Sequence, residues 1–282
     1  MPVLRVSAIS FLNTAPLMWD FERGDAGKDF EISYTIPSEC AAALAAGTAD
    51  MGIIPAVTYA HIPGLVILPN IAIAARDNVR SILLISKKPI EDVKTVATDT
   101  SSRTSVALTQ VLFAKFFGGH REFTPHPPDL KEMLKEHDAA LLIGDSALQI
   151  SMHDSSYHLY DLAHDWRRLT GKPFVFAFWA VRLDALHRQA TGLNLREVFQ
   201  RSRDQWLLPE SVAVLSREWA PRLGITETEV TTYLTENIHY YLDRENHEGL
   251  QLFLKYAHEI GLIAAVPELR FLGPVAFCGG PK

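Results

Sequence analysis

From Val3 to Val181, short apolar runs alternate with stretches that carry helix signals, and this alternation restricts the chain to α/β folds built around parallel strands. Val3–Ile9 is rich in β-formers and suits a buried strand. Phe30–Ile36 alternates at period two. Pro37-Ser38 then opens a helix through Cys40–Ala46, which Gly47 ends. Met51–Ile54 is a short buried strand stopped by Pro55. A βαβαβ order of this kind predicts right-handed crossovers between parallel strands. Leu65–Leu68 and Ile71–Ala75 add two β-like runs, and Arg80–Ser86 is a strong strand.

A second α/β unit follows. Thr95–Ala97, Phe123-Thr124, Ala139–Ile143 and Tyr157–Leu162 read as strands, with helices over Val106–Phe117 and Pro128–Glu136. Phe174–Val181 is the most β-prone run of the chain. Beyond Arg182 the pattern turns helical, over Leu195–Leu207, Ser211–Leu223, Glu227–Leu242 and Glu248–Ile260, with a capping box at Thr226–Glu229. The expected architecture is a two-lobe clamshell closing about a hinge, with the helical C-terminal segment packed on the first lobe. Residues 1–86 plus 182–282 form the expected first lobe and 87–181 the second, with crossing strands near 82–86 and 175–181.

Composition narrows the function. At 282 residues, 48% hydrophobic and 21% charged, the chain is an ordinary globular one, long enough for two lobes. A formal net charge of −6 without a basic cluster argues against nucleic acid. Cys40 and Cys278 lack metal-ligand spacing and read as idle thiols. His153, His158 and His164 are spaced too irregularly for one helix face, so no metal site is expected. No window reaches the length of a membrane span, and Met1-Pro2 leads straight into the first strand, so a cytoplasmic protein is expected. No pattern sets an oligomeric state.

Ligands of open α/β sheets bind beyond the C-terminal ends of the strands, which directs attention to four strand-to-helix junctions. In Ser10-Phe11-Leu12-Asn13-Thr14-Ala15-Pro16, Asn13 either caps the helix that Pro16 begins or stands at the mouth of a site. Ser102-Arg103-Thr104-Ser105 precedes an apolar helix and offers unpaired N–H groups, hydroxyls and a guanidinium to an anion; an ordinary helix cap with a solvent-facing Arg is the alternative. Ser38, after Pro37, and Gly144-Asp145, after Ile143, occupy equivalent places with the same two readings. Trp166, Phe174, Phe176, Phe178 and Trp179 either line a pocket or fill the core, and only alternate strand positions can face a cleft.

These blocks carry a resemblance. Ser10–Leu17, Pro37-Ser38 with Gly47–Asp50, Ser102–Leu108, Leu142–Leu148, and Trp166 with Thr170–Ala177 are similar, in order and spacing, to the chorismate dehydratase family of the futalosine route to menaquinone. Phe11 stands where that family more often has Tyr. The resemblance implies a type II periplasmic-binding-protein fold used as an enzyme without metal or organic cofactor. It implies that Asn13 is catalytic and that Ser38, Ser81, Ser102, Arg103, Thr104, Ser105, Gly144 and Asp145 surround a small-molecule substrate. Asp145 is the nearest candidate base by motif, but a carboxylate beside a dianion is repelled unless protonated or turned away, so it reads as structural. The substrate's own enolpyruvyl carboxylate stays open as the base. A non-catalytic carboxylate-binding protein and the related dihydroxynaphthoate synthase are the rival readings.

Overall fold

The computed structural model describes residues 3–119, 121–152, 155–188 and 193–273. His153 and Cys278 lie outside the described residues. Two five-stranded sheets face one another across a cleft. The first has the order β2-β1-β3-β10-β4, from Leu4–Ile9 (β1), Phe30–Thr35 (β2), Met51–Pro55 (β3), Leu65–Ala75 (β4) and Phe174–Arg182 (β10). The second has the order β7-β6-β8-β5-β9, from Ile82–Ser86 (β5), Thr95–Asp99 (β6), Glu122–His126 (β7), Ala139–Ile143 (β8) and His158–Asp161 (β9). This is the expected α/β clamshell.

β1 pairs in parallel with β2 and β3, as the helical crossovers require. The helix Pro37–Ala46 returns the chain between them; proline fills its first turn, and Gly47 closes it in the left-handed conformation at φ +71°. β10 runs antiparallel between β3 and β4, opposing Phe178 to both Ile54 and Ala72. Because it is covered on both faces, β10 reads as one unbroken apolar run. Trp166, Phe174, Phe178 and Trp179 all enter the core; Trp166 stacks edge-on against Phe174 at 5.3 Å, and Trp179 against Phe199 at 4.8 Å. Of the five aromatic candidates, only Phe176 reaches the cleft.

Several expectations are corrected. Leu65–Leu68 and Ile71–Ala75 are one strand, its ladder interrupted where Asn70 takes φ +65°, and the Asn70 carbonyl is held by the Arg203 guanidinium. The helix expected over 106–117 begins earlier, at Thr104, and widens into a π-turn over Phe113–Phe117. The helix expected to reach Leu242 ends at Asn237, and His239 instead bridges β4 at Ala74. Its start is as expected: Thr226 and Glu229 form the capping box. Leu162–Thr170, unassigned in the sequence reading, is a helix capped by the Asp161 carboxylate.

The two strands near the expected crossings, 82–86 and 175–181, each lie within one sheet. β5 pairs only within the second sheet and β10 only within the first, so the chain passes between sheets through 76–81 and 162–173. We propose lobe boundaries near 81 and 173 accordingly, since each strand belongs with its hydrogen-bonding partners. The outbound passage is fixed to the second sheet. The Asp161 carboxylate accepts from Val79 N and Arg80 N, and the Arg80 guanidinium donates to the carbonyls of Ala147 and Leu148.

The C-terminal helices pack on the first sheet. Within Leu195–Trp206, the buried Ser202 hydroxyl donates to Leu17 O and accepts from Asp20 N, clamping that helix to the segment after β1. The edge of β4 is covered by Ala74 N to His239 O and by Ile67 N to Arg270 O, at 2.9 and 2.8 Å. No helix among the described residues is long and apolar enough to cross a membrane.

Candidate active site

The ends of β1 and β3, the start of the helix after β2 and the Phe176-Ala177 segment of β10 form one wall of the cleft, through Phe11, Asn13, Pro37, Pro55 and Phe176. The facing wall consists of Ile82, Ile143 and the loop Ser102–Ser105. The enclosed space is about 440 Å³, including the part open to solvent. Its surface is mainly apolar, and among the described residues lining it Arg103 alone carries a charge. A ligand with an apolar body and a few polar groups matches such a surface.

Asn13 caps no helix. It lies inside a 3-10 turn, Leu12–Met18, that continues into an α-turn at Trp19–Arg23, with Pro16 in the interior rather than at the first position. Its amide oxygen accepts from the Thr14 hydroxyl at 3.2 Å, and the residue lines the cleft. Of the two sequence readings, the capping one fails for want of a capping bond.

Across the cleft, Thr104 begins the helix Thr104–Leu112, with Arg103 at the cap position and no side-chain cap. The first N–H groups of that helix therefore have no intrahelical or side-chain cap partner, and the residues Ser102, Arg103, Thr104 and Ser105 at this helix start line the cleft. The Thr104 hydroxyl also accepts from Val57 N at 3.2 Å, tying the turn after β3 to the second lobe. Replacing Thr104 by alanine thus removes a donor and a tie together, whereas replacing Ser105 removes a hydroxyl that lines the cleft.

The remaining candidates sit behind this surface. Pro37 lines the cleft and Ser38, half-buried, does not; Ser81 is fully buried behind Ile82. Gly144 lies behind Ile143 with φ +58°, its N–H donating to Ser81 O at 2.8 Å. A Cβ there would stand 2.8 Å from the Phe11 ring, so the position requires glycine for both its backbone and its neighbour. The Asp145 carboxylate is turned from the cleft and accepts from Leu12 N at 3.0 Å, a second bond between the lobes. Sequence reasoning missed Tyr233. It comes from the helical tail and buries its hydroxyl against Ser81 Oγ at 2.8 Å; no local pattern marks a residue so distant in sequence from its partners.

Burial pushes the Asp145 carboxyl up to about 6, opposed only by the Leu12 N–H. Because this lies above the ordinary value of 3.8, the stabilising contribution of the group is complete below about pH 4 and is lost as pH rises through about 6. Asp145→Asn should therefore gain melting temperature relative to the parent as pH is raised from about 4.5 to 7.5. Melting curves that stay parallel across that range would remove the assignment.

The fold is a two-lobe α/β clamshell with a cleft between its sheets, and solved structures share that fold. The chain superposes on the protein AF1704 from Archaeoglobus fulgidus with a TM-score of 0.72 at 19% identity, covering 92% of this chain and 98% of that one. It superposes on the periplasmic aliphatic sulphonate binding protein SsuA from Escherichia coli with a TM-score of 0.66 at 15% identity, covering 100% and 96%. Among proteins of assigned activity, it is 27% identical over 249 residues to the chorismate dehydratase of Thermus thermophilus, spanning 83% of this chain and 88% of that protein. Residues 4–259 match the menaquinone biosynthesis family, and the chain belongs to that family.

Proposed function

We propose that this protein is a lyase that dehydrates chorismate to 3-[(1-carboxyvinyl)oxy]benzoate and water. The observation that carries the reading is the convergence of Asn13 from one lobe and Ser102–Ser105 from the other on a mainly apolar cleft, in a chain of the menaquinone biosynthesis family. Chorismate is a dianion with a cyclohexadiene ring, and the donors at the start of the 104–112 helix, with Arg103, are suited to one of its carboxylates. Phe11, Ile82, Ile143 and Phe176 supply apolar contact for the ring.

The reaction breaks C3–H and C4–O. The C3 proton is vinylogous to the ring carboxylate, so its loss sends the electron pair through the ring into that carboxylate. The extended enolate returns the pair to expel the C4 oxygen, and the proton leaves with that oxygen as water. Aromatisation drives the second step, so the protein has to orient the groups and stabilise charge. The described residues lining the cleft include neither carboxylate nor imidazole, and the Asp145 carboxylate is turned away. This favours the enolpyruvyl carboxylate of the substrate as the base, with Asn13 holding the departing hydroxyl.

Incubation with chorismate, followed by ultraviolet spectrum and product mass, tests the reading. Conversion of the diene to a benzoate with loss of one water supports it. Binding without conversion would instead favour a plain carboxylate receptor. Ser105→Ala and Thr104→Ala should each weaken substrate binding by about 1–3 kcal/mol, seen mainly as a higher KM because the carboxylates are charged before and after reaction. An unchanged KM in both folded variants would rule out the anion site.

A further inference from the structure

We propose that Asp145 is a positioning residue: reaching across from the second lobe, its carboxylate holds the start of the turn that carries Asn13. The inference rests on the reading of the cleft as a chorismate site. The turn Leu12–Met18 follows β1, and Asn13 is its second residue. The first N–H groups of such a turn have no partner within it and need an acceptor from outside. The preceding side chain commonly supplies one, but Phe11 has only a phenyl ring and makes no capping bond. The acceptor comes instead from the opposite lobe. Asp145 lies in the short helix Gly144–Leu148 after β8, and its Oδ1 accepts from Leu12 N at 3.0 Å. The two lobes touch again one residue earlier on each side. There the Phe11 ring lies so near Gly144 that a Cβ added to the glycine would stand 2.8 Å from it. Residues 11–12 of one lobe thus seat on residues 144–145 of the other.

The two ends of the turn are held differently. At the far end, the Ser202 hydroxyl donates to Leu17 O and accepts from Asp20 N, all within the first lobe. That end keeps its place whatever the second lobe does. At the near end, the bond from Leu12 N goes to the second lobe, so it exists only while the lobes stand together. Among the described residues it is the one hydrogen bond of the Asp145 side chain. A half-buried carboxylate is costly to keep unless it is used, and this bond is the use it has. Closing the cleft over a substrate therefore completes the support of Asn13, the next residue in the chain. A displacement of about 1 Å in a group that acts on the reacting bond can cost about 10²-fold in rate. The anion-binding candidates Ser102–Ser105 belong to the second lobe and are untouched by a change at Asp145, so substrate affinity should be largely kept.

The experiment measures kcat, KM and melting for the parent, Asp145→Ala, Asp145→Leu, Asp145→Asn, Asn13→Ala and the Asp145→Ala/Asn13→Ala double variant. Asp145→Ala and Asp145→Leu remove the acceptor and are expected to lower kcat by about tenfold or more, with KM within about threefold. Asp145→Asn keeps an oxygen that accepts from Leu12 N and is expected to retain kcat within about threefold. Added to Asn13→Ala, Asp145→Ala is expected to cost less than about twofold further, because its effect runs through the amide already removed. With a parent active on chorismate, an unchanged kcat in Asp145→Ala and Asp145→Leu overturns this inference and leaves the function standing. So does a loss that Asp145→Asn shares in full, that appears in KM, or that adds fully to that of Asn13→Ala. Failure of both apolar replacements to fold would assign the bond to stability and overturn the inference as well. A parent inactive on chorismate overturns the function and this inference together.

Discussion

Replacing Asn13 by alanine is expected to lower kcat for chorismate by about 10²–10³ while KM changes only a few-fold. The size follows from the setting: one oriented donor in a mainly apolar cleft, aimed at an oxygen whose charge grows only as C4–O breaks. A group that binds substrate and transition state equally would raise KM instead. The alternative, a helix cap, predicts about 1 kcal/mol of lost stability with turnover kept, and the 3-10 turn at Leu12–Met18 offers Asn13 no such capping bond. Thermal melting and turnover on the same preparation separate the two. A variant that melts early and still turns over at near the parental rate would reduce Asn13 to scaffolding.

Gly144→Ala is expected to be the most destabilising of the single changes considered, by about 2–5 kcal/mol, from left-handed backbone strain together with displacement of a packed ring. The two contributions can be separated with a second glycine. Gly171 also has a positive φ, of +70°, but a Cβ there meets nothing within 4 Å. Gly171→Ala should therefore incur only the backbone strain, about 1–2 kcal/mol. At Gly144 the Phe11 ring must also move, and because Phe11 lines the cleft, turnover should fall along with stability. Equal melting temperatures for the two variants would show that the Phe11 contact carries no weight.

The elements of this fold were legible wherever one local rule decided them. β1, β3, β5 and β8 are short apolar runs that leave no alternative to a buried strand, and Thr226–Glu229 marks a helix start through bonds spanning three residues. The reading erred where a distant partner decided. Residues 238–242 carry helical spacing, yet the edge of β4 claims His239. β10 reads as a crossing strand until its two antiparallel neighbours are known. The cleft shows the same division. Asn13 and Ser102–Ser105 follow from the rule that ligands meet strand ends, and they line it. Gly144 and Asp145 follow from the same rule but stand one layer behind, because Ile143 occupies the surface, and Ser81, which only the resemblance named, is buried next to Ile82. Tyr233 follows no local rule, since only the packing of the tail places it.

The interleaving of the two sheets bears on the order in which the protein can be made. Every strand of the second sheet lies within the continuous stretch 82–161, so that lobe can assemble from neighbouring segments as soon as it leaves the ribosome. The first lobe, although it begins at the N-terminus, has β10 as the strand joining β3 to β4, and must wait for residues 174–182. Until then β3 and β4 are apolar strands with open edges, exposed to association with other chains. The lobe begun first is thus the one completed last, and its open strand edges stay exposed throughout the time in which residues 82–161 are made and fold.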